Sequence, residues 1–406
     1  MPLPIRTAWF AVALLWPVAL LNYLDRQLLA AMKFSVMADI PDVATDANWG
    51  YMLGQFKWVY AVLSPIGGYI ADRFSRRLVV AASLFAWSAV TWWTGHVETY
   101  SDLLWARTFM GVSEAFYIPA ALALIADYHT GATRSRAVGV HQTAIYFGVI
   151  LGGFGGYAAD APELGWRTTF AVIGLVGIAY ALPLVVLLKD APRPAAEPAP
   201  QLGPAAALVE LVRNPSFILL VLVFTLPAIA GWVVRDWMPA ILKDRFALGQ
   251  GAAGVNATLF VNLAALAGAF AGGWAADRAA RRALRGRVYV SAAGIALLIP
   301  ALFGIGHAPT LGVAVAFLIL FGLGWGVFDA NNMPILAQVV RPELRATGYG
   351  VMNLVSISGG GFADWGFGVL RDARVPLDLI FGAFAGTAVL SVVLVLLVRP
   401  RQDVFR

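Results

Sequence analysis

The chain has 406 residues, of which 60% are hydrophobic and 13% charged, and its mean hydropathy is +0.75. A soluble fold of this length lacks the polar surface to cover so many apolar side chains. The sequence therefore predicts an integral membrane protein. The net charge of +6 does not indicate nucleic-acid binding, because the basic residues are spread over short loops instead of being gathered on one soluble domain.

Twelve apolar stretches are each long enough to cross a bilayer core of about 30 Å, which takes roughly 20 helical residues. Strand periodicity is absent, and a helix satisfies its own backbone hydrogen bonds in lipid. We therefore predict an all-α membrane protein whose transmembrane helices lie near 8–31, 50–71, 78–98, 102–128, 135–159, 167–188, 216–243, 250–275, 288–306, 310–339, 346–370 and 376–398. The first is longer than a signal-peptide core, so it is expected to be retained.

The sequence contains no cysteine, which excludes disulfides and cysteine-based metal or redox sites. It also shows no phosphate-cradling loop, metal-ligand cluster or nucleophile–base pairing. We therefore expect neither an enzyme nor an ATP-driven pump, and neither a cofactor nor a bound metal.

Loop charges predict the orientation. By the positive-inside rule, the loops rich in arginine and lysine face the cytoplasm. This places both termini there, and we expect a bacterial inner membrane. The basic loop residues are Arg73, Arg76, Arg77, Arg134, Arg136, Lys189, Arg193, Arg213, Arg278, Arg281, Arg282, Arg285, Arg287, Arg341 and Arg345.

A proline- and alanine-rich stretch, "KDAPRPAAEPAPQLGP", separates the first six predicted helices from the last six. Such a composition is typical of a semi-rigid linker. We predict an N-terminal half at 1–188, a cytoplasmic linker at 189–215 and a C-terminal half at 216–406.

Two short phrases occur once in each half. "GGYIADRFSRR" at 67–77 matches "GGWAADRAARR" at 272–282 in seven of eleven positions, and "RAVG" at 136–139 matches "RATG" at 345–348. Each copy takes the same place in its half, so the chain is predicted to contain a duplicated six-helix unit.

The first phrase resembles the loop motif of the major facilitator superfamily, with Ser75 as a departure where glycine is usual. The resemblance covers essentially the whole chain and implies a twelve-helix transporter that works by alternating access. Gly68 permits close helix approach, and Asp72 can accept hydrogen bonds at a neighbouring helix start. The resemblance implies that such contacts latch the two halves on the cytoplasmic side. The gating residues are then Gly68, Asp72, Arg73, Arg76, Arg77, Asp277, Arg278, Arg281, Arg136 and Arg345, with Gly273 and Arg282 completing the second copy.

Four ionisable residues lie deep in apolar helices, where each is costly unless it is paired or lines a watery cavity. Asp25 and Arg26 are in the first helix. Arg107 and Glu114 in the fourth are two turns apart and share one face. A single cluster is expected, and a purely structural ion-pair lattice is the alternative. Desolvation raises the pKa of a carboxylate and nearby guanidinium groups lower it. A balance of the two suits a proton carrier.

The stretch "NYLDR" together with the pattern RxxxGxxEA resembles two branches of the superfamily: anion:cation symporters that import sugar acids, and spinster-type lipid transporters. In both, the resemblance implies proton coupling at Asp25 and Glu114. In the first, it implies substrate binding by Arg26 and Arg107. The stretch "EAFYIPAALALIADYHTGATRSRAVG" is closer to the spinster type.

Further polar residues in the predicted helices are candidates for substrate binding: Tyr23, Lys57, Gln142, Asn331, Asn332 and Asn353. Lys57 could instead extend to the membrane interface. His141 is expected to be a packed polar residue. Arg235 and Asp236 fit a gate ion pair and a substrate site equally well.

The preferred hypothesis is a proton-coupled symporter of a small organic anion, most plausibly a sugar acid such as a hexuronate or aldonate. The alternatives are a spinster-like carrier of lysolipid or another amphiphile, and a proton-coupled antiporter. A non-transporting sensor would need a signalling domain that the sequence does not contain. The expected partners are the organic anion, protons and the lipid bilayer, with no nucleic acid and a monomeric protein.

Overall fold

The computed structural model describes residues 5–129, 133–191 and 203–401, and this part of the chain is helical without strands. Two short 3-10 helices lie at Pro41–Val43 and Pro342–Leu344. The α-helices are α1 (Ile5–Ala31), α2 (Lys33–Asp39), α3 (Asp46–Arg73), α4 (Arg76–Thr94), α5 (Tyr100–Glu114), α6 (Tyr117–Tyr128), α7 (Arg134–Gly153), α8 (Gly155–Asp160), α9 (Gly165–Leu187), α10 (Pro204–Val212), α11 (Pro215–Phe246), α12 (Gln250–Ala280), α13 (Gly286–His307), α14 (Leu311–Val339), α15 (Arg345–Asp372) and α16 (Leu377–Leu397).

Nine helical stretches among the described residues are long and apolar enough to cross a membrane. Helices α3, α4 and α15 are also long enough, and they coincide with the three remaining predicted spans. The expectation of an all-α membrane protein is therefore confirmed.

The predicted fourth helix is divided into α5 and α6 immediately after Glu114. Pro119 lacks the backbone N–H that would bond the carbonyl of Ala115, so the helix cannot continue regularly through this point. Helix α3 approaches the break closely, since a Cβ atom at Gly67 would lie 2.5 Å from the carbonyl oxygen of Ala115. Gly67 therefore permits this contact between α3 and the end of α5. The close approach predicted at Gly68 is wrong, because a Cβ atom there would have no neighbour within 4 Å.

One compact unit comprises the described residues of 1–197 together with Asp236–Thr258. Within it α1 packs against α7, α4 against α9, and α3 against α5. Gly111 brings α5 near α3, because a Cβ atom there would lie 2.7 Å from the carbonyl oxygen of Phe56. We call this the first unit.

The second unit comprises Pro198–Arg235 and Leu259–Arg406, insofar as these residues are described. Within it α13 packs against both α14 and α16. Residues Asp236–Thr258 belong by sequence to the predicted C-terminal half, yet they group with the first unit. Part of the predicted linker, at 192–202, lies outside the described residues, and α10 forms in its later part. The half boundaries remain a prediction.

Candidate functional site

The first unit contains a cluster of buried charges between α1 and α5. Nε of Arg26 donates a hydrogen bond to one carboxylate oxygen of Glu114 at 2.6 Å, and Nη2 forms an ion pair with the same oxygen at 2.5 Å. Glu114 is fully buried, and the Arg26 side chain is 10% exposed. Because Arg26 is drawn to Glu114, the two helices are joined by a charge pair at the point where α5 ends.

Aromatic rings surround the Arg26 guanidinium. Its central carbon lies 4.9 Å from the ring centre of Tyr23, 4.7 Å from that of Phe56 and 5.0 Å from that of Tyr60. The Arg107 guanidinium lies 4.8 Å from the same Phe56 ring. Cation–π attraction thus offsets part of the cost of removing both guanidinium groups from water.

Asp25 takes a different direction from its neighbour Arg26, because consecutive residues on a helix point about 100° apart. Its carboxylate accepts a hydrogen bond from the hydroxyl of Thr91 on α4. Asp25 is 3% exposed, and no ion pair of its side chain occurs within the described residues. A buried carboxylate without a cation partner is costly in an apolar surrounding.

Arg107 is a buried cation of the same cluster that, like Asp25, makes no ion pair in the described chain. It is 3% exposed, and within the described parts of the chain its Nε has no hydrogen-bond partner and its guanidinium makes no ion pair. The close approach of α5 to α3 at Gly111 holds it against Phe56. Asp25 and Arg107 are therefore the carboxylate and the guanidinium of this cluster that make no ion pair among the described residues.

Lys57 forms a buried ion pair with Asp236, which also belongs to the first unit. The side chains of Lys57 and Asp236 are 3% and 11% exposed. Lys57 therefore does not extend to an interface, which was one of the two alternatives for this residue. Asp236 was a gate or substrate candidate by sequence, and Lys57 is its partner.

The other predicted substrate residues differ in their surroundings. Gln142 is exposed and Asn353 is half-buried. Asn331 and Asn332 are buried, and their amides donate within α14, to the carbonyl of Val327 at 2.8 Å and to Asp329 at 3.3 Å respectively. Gln142 lies in the first unit and makes no hydrogen bond or ion pair with the charge cluster among the described residues.

His141 is packed as the sequence predicts. Its Nε2 lies 2.9 Å from the hydroxyl of Tyr117, which is 3.2 Å from the carbonyl oxygen of Leu15. His141 and Tyr117 are both buried. This group of contacts joins α7, α6 and α1.

The first copy of the repeated phrase is bonded inside the first unit. Arg76 pairs with Asp127 of α6 and donates to the carbonyl of Ala123 at 3.2 Å. Ser75 accepts from the backbone of Leu78 and so caps α4, which glycine cannot do with a side chain. Asp190 accepts from the Ser75 hydroxyl and from the Arg77 backbone. The Asp72 side chain lies outside the described residues.

The second copy has other partners. Asp277 pairs with Arg287 of α13 at 2.6 Å. Arg345, which begins the second copy of the shorter phrase, donates to the carbonyl of Ala337 at 3.1 Å. Arg278, like Arg136 and Arg73 in the first unit, is exposed. The roles assigned to these residues in gating remain a prediction.

Several residues at the cluster carry no recognisable sequence signal. Thr91, Phe56 and Tyr60 look like ordinary members of apolar helices. Only the packing of α3 and α4 against α5 and α1 makes them neighbours of Arg26 and Asp25. A hydroxyl or an aromatic residue in a membrane helix is too common to single out in advance.

Ionisable side chains buried among the helices of a multi-pass membrane protein are typical of secondary transporters. Residues 15–363 match the Major Facilitator Superfamily, and the chain belongs to this family. The predicted family is confirmed, and with it the twelve-helix fold.

Among relatives, the chain is 31% identical to protein spinster homolog 1 of Bos taurus over 364 residues, covering 83% of this chain and 67% of that protein. The human homolog is covered over 47% of its length. The chain is 30% identical to an MFS-type efflux pump of Mycolicibacterium smegmatis over 372 residues, 91% of this chain and 85% of that one.

The fold is also similar to the crystal structure of a bacterial homolog of the human lysosomal transporter spinster, in an inward-facing and unoccupied conformation. The TM-score is 0.78 at 20% sequence identity, covering 97% of this chain and 95% of that one. Of the two branches that the sequence resembles, these relatives support the spinster-like one.

Proposed function

We propose that this protein is a proton-coupled transporter of an organic anion that acts as a monomer by alternating access. The observation that carries the proposal is Arg107, a buried guanidinium without an ion pair in the described chain, beside two buried carboxylates. A planar guanidinium can hold a carboxylate by two charge-assisted hydrogen bonds. An anionic substrate would supply the partner that Arg107 lacks.

Proton coupling would follow from competition for the arginines. Protonation of Glu114 weakens its bond to Arg26, so that Arg26 joins Arg107 in binding the anion. Release of the proton restores the Arg26–Glu114 pair and displaces the ligand. Asp25 would take a second proton, because Thr91 is its hydrogen-bond partner and no cation pairs with it in the described chain. The ligand and the protons thus shift one conformational equilibrium together.

A sugar acid, such as a hexuronate or aldonate, is the substrate class that we propose, because it combines a carboxylate for the arginines with a ring face for Tyr23 and Tyr60. An amphiphile such as a lysolipid is the second candidate. The spinster relatives and the three aromatic rings around Arg26 favour it. Antiport would use the same competition with protons and ligand moving in opposite directions.

A thermal-unfolding screen of the purified protein tests the proposal, because a ligand that binds the folded state raises the melting temperature. We expect stabilisation by hexuronates or aldonates that is stronger at acidic than at neutral pH. Arg107→Ala should remove it, and Arg107→Lys should restore little, because lysine lacks the planar fork. Arg213→Ala, at an exposed arginine, is the matched control.

The proposal is wrong if the wild-type protein ignores every organic anion at both pH values. Stabilisation by a lysolipid that also requires Arg107 would keep anion transport and replace the sugar acid by an amphiphile. Stabilisation by a lysolipid or a neutral sugar in wild type and Arg107→Ala alike would remove Arg107 from the site.

For the orientation, we propose cytoplasmic termini and a cytoplasmic linker in a bacterial inner membrane. Because the chain has no cysteine, a single Ala205→Cys substitution on exposed α10 gives an unambiguous label. An impermeant thiol reagent added outside intact cells should leave it unmodified and should modify it after lysis. Ready modification in intact cells would reverse the topology.

A further inference from the structure

A cavity of about 510 Å³ lies within the second unit, away from the buried charge cluster. It is bounded by the ends of α12 and α14 and by the beginnings of α13 and α15. Its lining residues are Asp277, Ala280, Arg281, Arg287, Ala337, Gln338 and Arg345. The volume is in the usual range for a small-molecule site.

The side chains give this cavity an excess of two positive charges. Asp277 is neutralised by Arg287 at 2.6 Å. Arg281 and Arg345 have no carboxylate partner in the described chain, and the Nε of Arg345 is buried without a hydrogen-bond partner there. Two helices begin and two end at the cavity, so their dipoles largely offset one another. The excess charge therefore comes from the two arginines.

Gln338 provides an independent sign of a missing ligand. Its side chain is 6% exposed, lines the cavity, and its Oε1 has no hydrogen-bond partner among the described residues. A buried amide without a partner is costly and is usually satisfied by a ligand or water. Gln338 can donate through its amide nitrogen to an anion and accept from a protonated oxygen.

We propose that this cavity binds a phosphate group that keeps a protonatable oxygen, as in a monoester, through Arg281, Arg345 and Gln338. A phosphate carries up to two negative charges and presents several acceptor oxygens, which match two guanidinium groups and one amide. The cavity lies where α12 and α14 end, two helices long and apolar enough to cross a membrane, and the ends of such helices lie near the lipid headgroups. A phospholipid headgroup and a soluble phosphate compound share this chemistry.

This site goes beyond the proposed transport function. Asp277, Arg281 and Arg345 are also predicted gating residues, so a bound phosphate would occupy side chains that the gate needs. Its occupancy is therefore expected to change the transport rate without changing which substrate is carried.

Thermal unfolding of the full-length protein in detergent tests the site with three probes: inorganic phosphate, short-chain phosphatidic acid and short-chain phosphatidylcholine, each against chloride at equal ionic strength. We expect a saturable rise in melting temperature with phosphate or phosphatidic acid. Gln338→Glu places a carboxylate in the cavity while keeping its size, and should weaken the apparent affinity by about tenfold or more. The double variant Arg281→Gln/Arg345→Gln should do the same.

The matched control is Arg278→Gln/Arg282→Gln, which removes the same charge from exposed neighbours that do not line the cavity. Stabilisation by phosphatidic acid alone assigns the site to a lipid headgroup, and stabilisation by inorganic phosphate assigns it to a soluble compound. Absence of any stabilisation beyond chloride overturns the proposal, and so does equal stabilisation by phosphatidylcholine. An equal loss in the control variant also overturns it, because the effect would then be one of general surface charge. If the arginine variant does not fold, Gln338→Glu decides alone.

Discussion

The interiors of the two units differ in chemistry although their sequences share repeated phrases. The first unit buries ionisable residues from α1, α2, α3, α5 and α11: Asp25, Lys33, Lys57, Arg107, Glu114 and Asp236. Among the described residues of the second unit, Asp364 is the ionisable side chain buried to the same degree, and the other buried polar groups are hydroxyls and amides. Repetition of a fold therefore does not repeat its chemistry.

The two copies of the repeated phrase teach the same lesson. In the first copy, Arg76 is paired with Asp127 on another helix. In the second, the counterpart of Arg76 is Arg281, which has no carboxylate partner in the described chain and lines a cavity. Identical residues in the two copies thus have different partners, because the motif determines the side-chain types and the packing of each unit determines their contacts.

Removing a carboxylate from the charged interior should have the largest effect. Asp25→Asn keeps an oxygen for Thr91 and breaks no ion pair in the described chain, yet it cannot carry a proton. Glu114→Gln also cannot, and it leaves Arg26 without its carboxylate. We expect each to abolish proton-driven accumulation in proteoliposomes while exchange of labelled substrate continues.

The control for this experiment is Glu163→Gln, at an exposed glutamate of the same unit. It should accumulate substrate as the wild type does. Accumulation against a gradient by Glu114→Gln at the wild-type level would remove Glu114 from proton coupling. Loss of exchange as well as accumulation would indicate a structural ion-pair lattice.

The Lys57–Asp236 pair should have the next largest effect, on stability. Lys57→Met or Asp236→Leu alone leaves a buried charge without its partner, which costs about 3–5 kcal/mol in comparable cases. The double variant leaves none and should recover most of this loss. Thermal unfolding of the wild type, the two single variants and the double variant completes a double-mutant cycle.

Asp39→Asn is the comparison for a more exposed pair in the same unit, since Asp39 and Arg167 are 48% and 34% exposed. Its cost should be about 0–1 kcal/mol. If the double variant at Lys57 and Asp236 is as unstable as either single variant, the pair itself contributes net stability and the desolvation argument fails.

Much of the fold follows from the sequence because membrane helices are specified by long apolar runs. The repeated phrases add the family and hence the connectivity. The break between α5 and α6 was not predicted, although Pro119 was visible, because a proline can be accommodated in a membrane helix by its neighbours. Its position became clear only where α3 meets the carbonyl of Ala115.

The candidate site is less accessible to sequence reasoning. Arg26, Arg107 and Glu114 could be selected because charges are rare in apolar helices. Their pairing could not, since Arg26 follows Asp25 directly and could have met any carboxylate nearby. Thr91 and Gln338 are relevant because of their neighbours in the structure, Asp25 and the cavity respectively. Neither residue is unusual in the sequence of its own helix.

The smallest effect on transport is expected in the second unit, at the neutral side chain of Asn332. Asn332 is a predicted substrate-binding residue, and its amide donates within α14, so that replacement by alanine leaves no group on another helix without a partner. A neutral hydrogen bond contributes about 0.5–1.5 kcal/mol, so Asn332→Ala should raise the KM for uptake by about two- to tenfold. The melting temperature should remain near the wild-type value.

Asn256→Ala, which removes an amide bonded to its own helix at the carbonyl of Ala252, is the matched comparison and should leave the KM unchanged. Equal effects of the two substitutions would show that Asn332 does not contact substrate. A loss of accumulation as complete as that in Asp25→Asn would contradict the proposed restriction of proton coupling to the first unit.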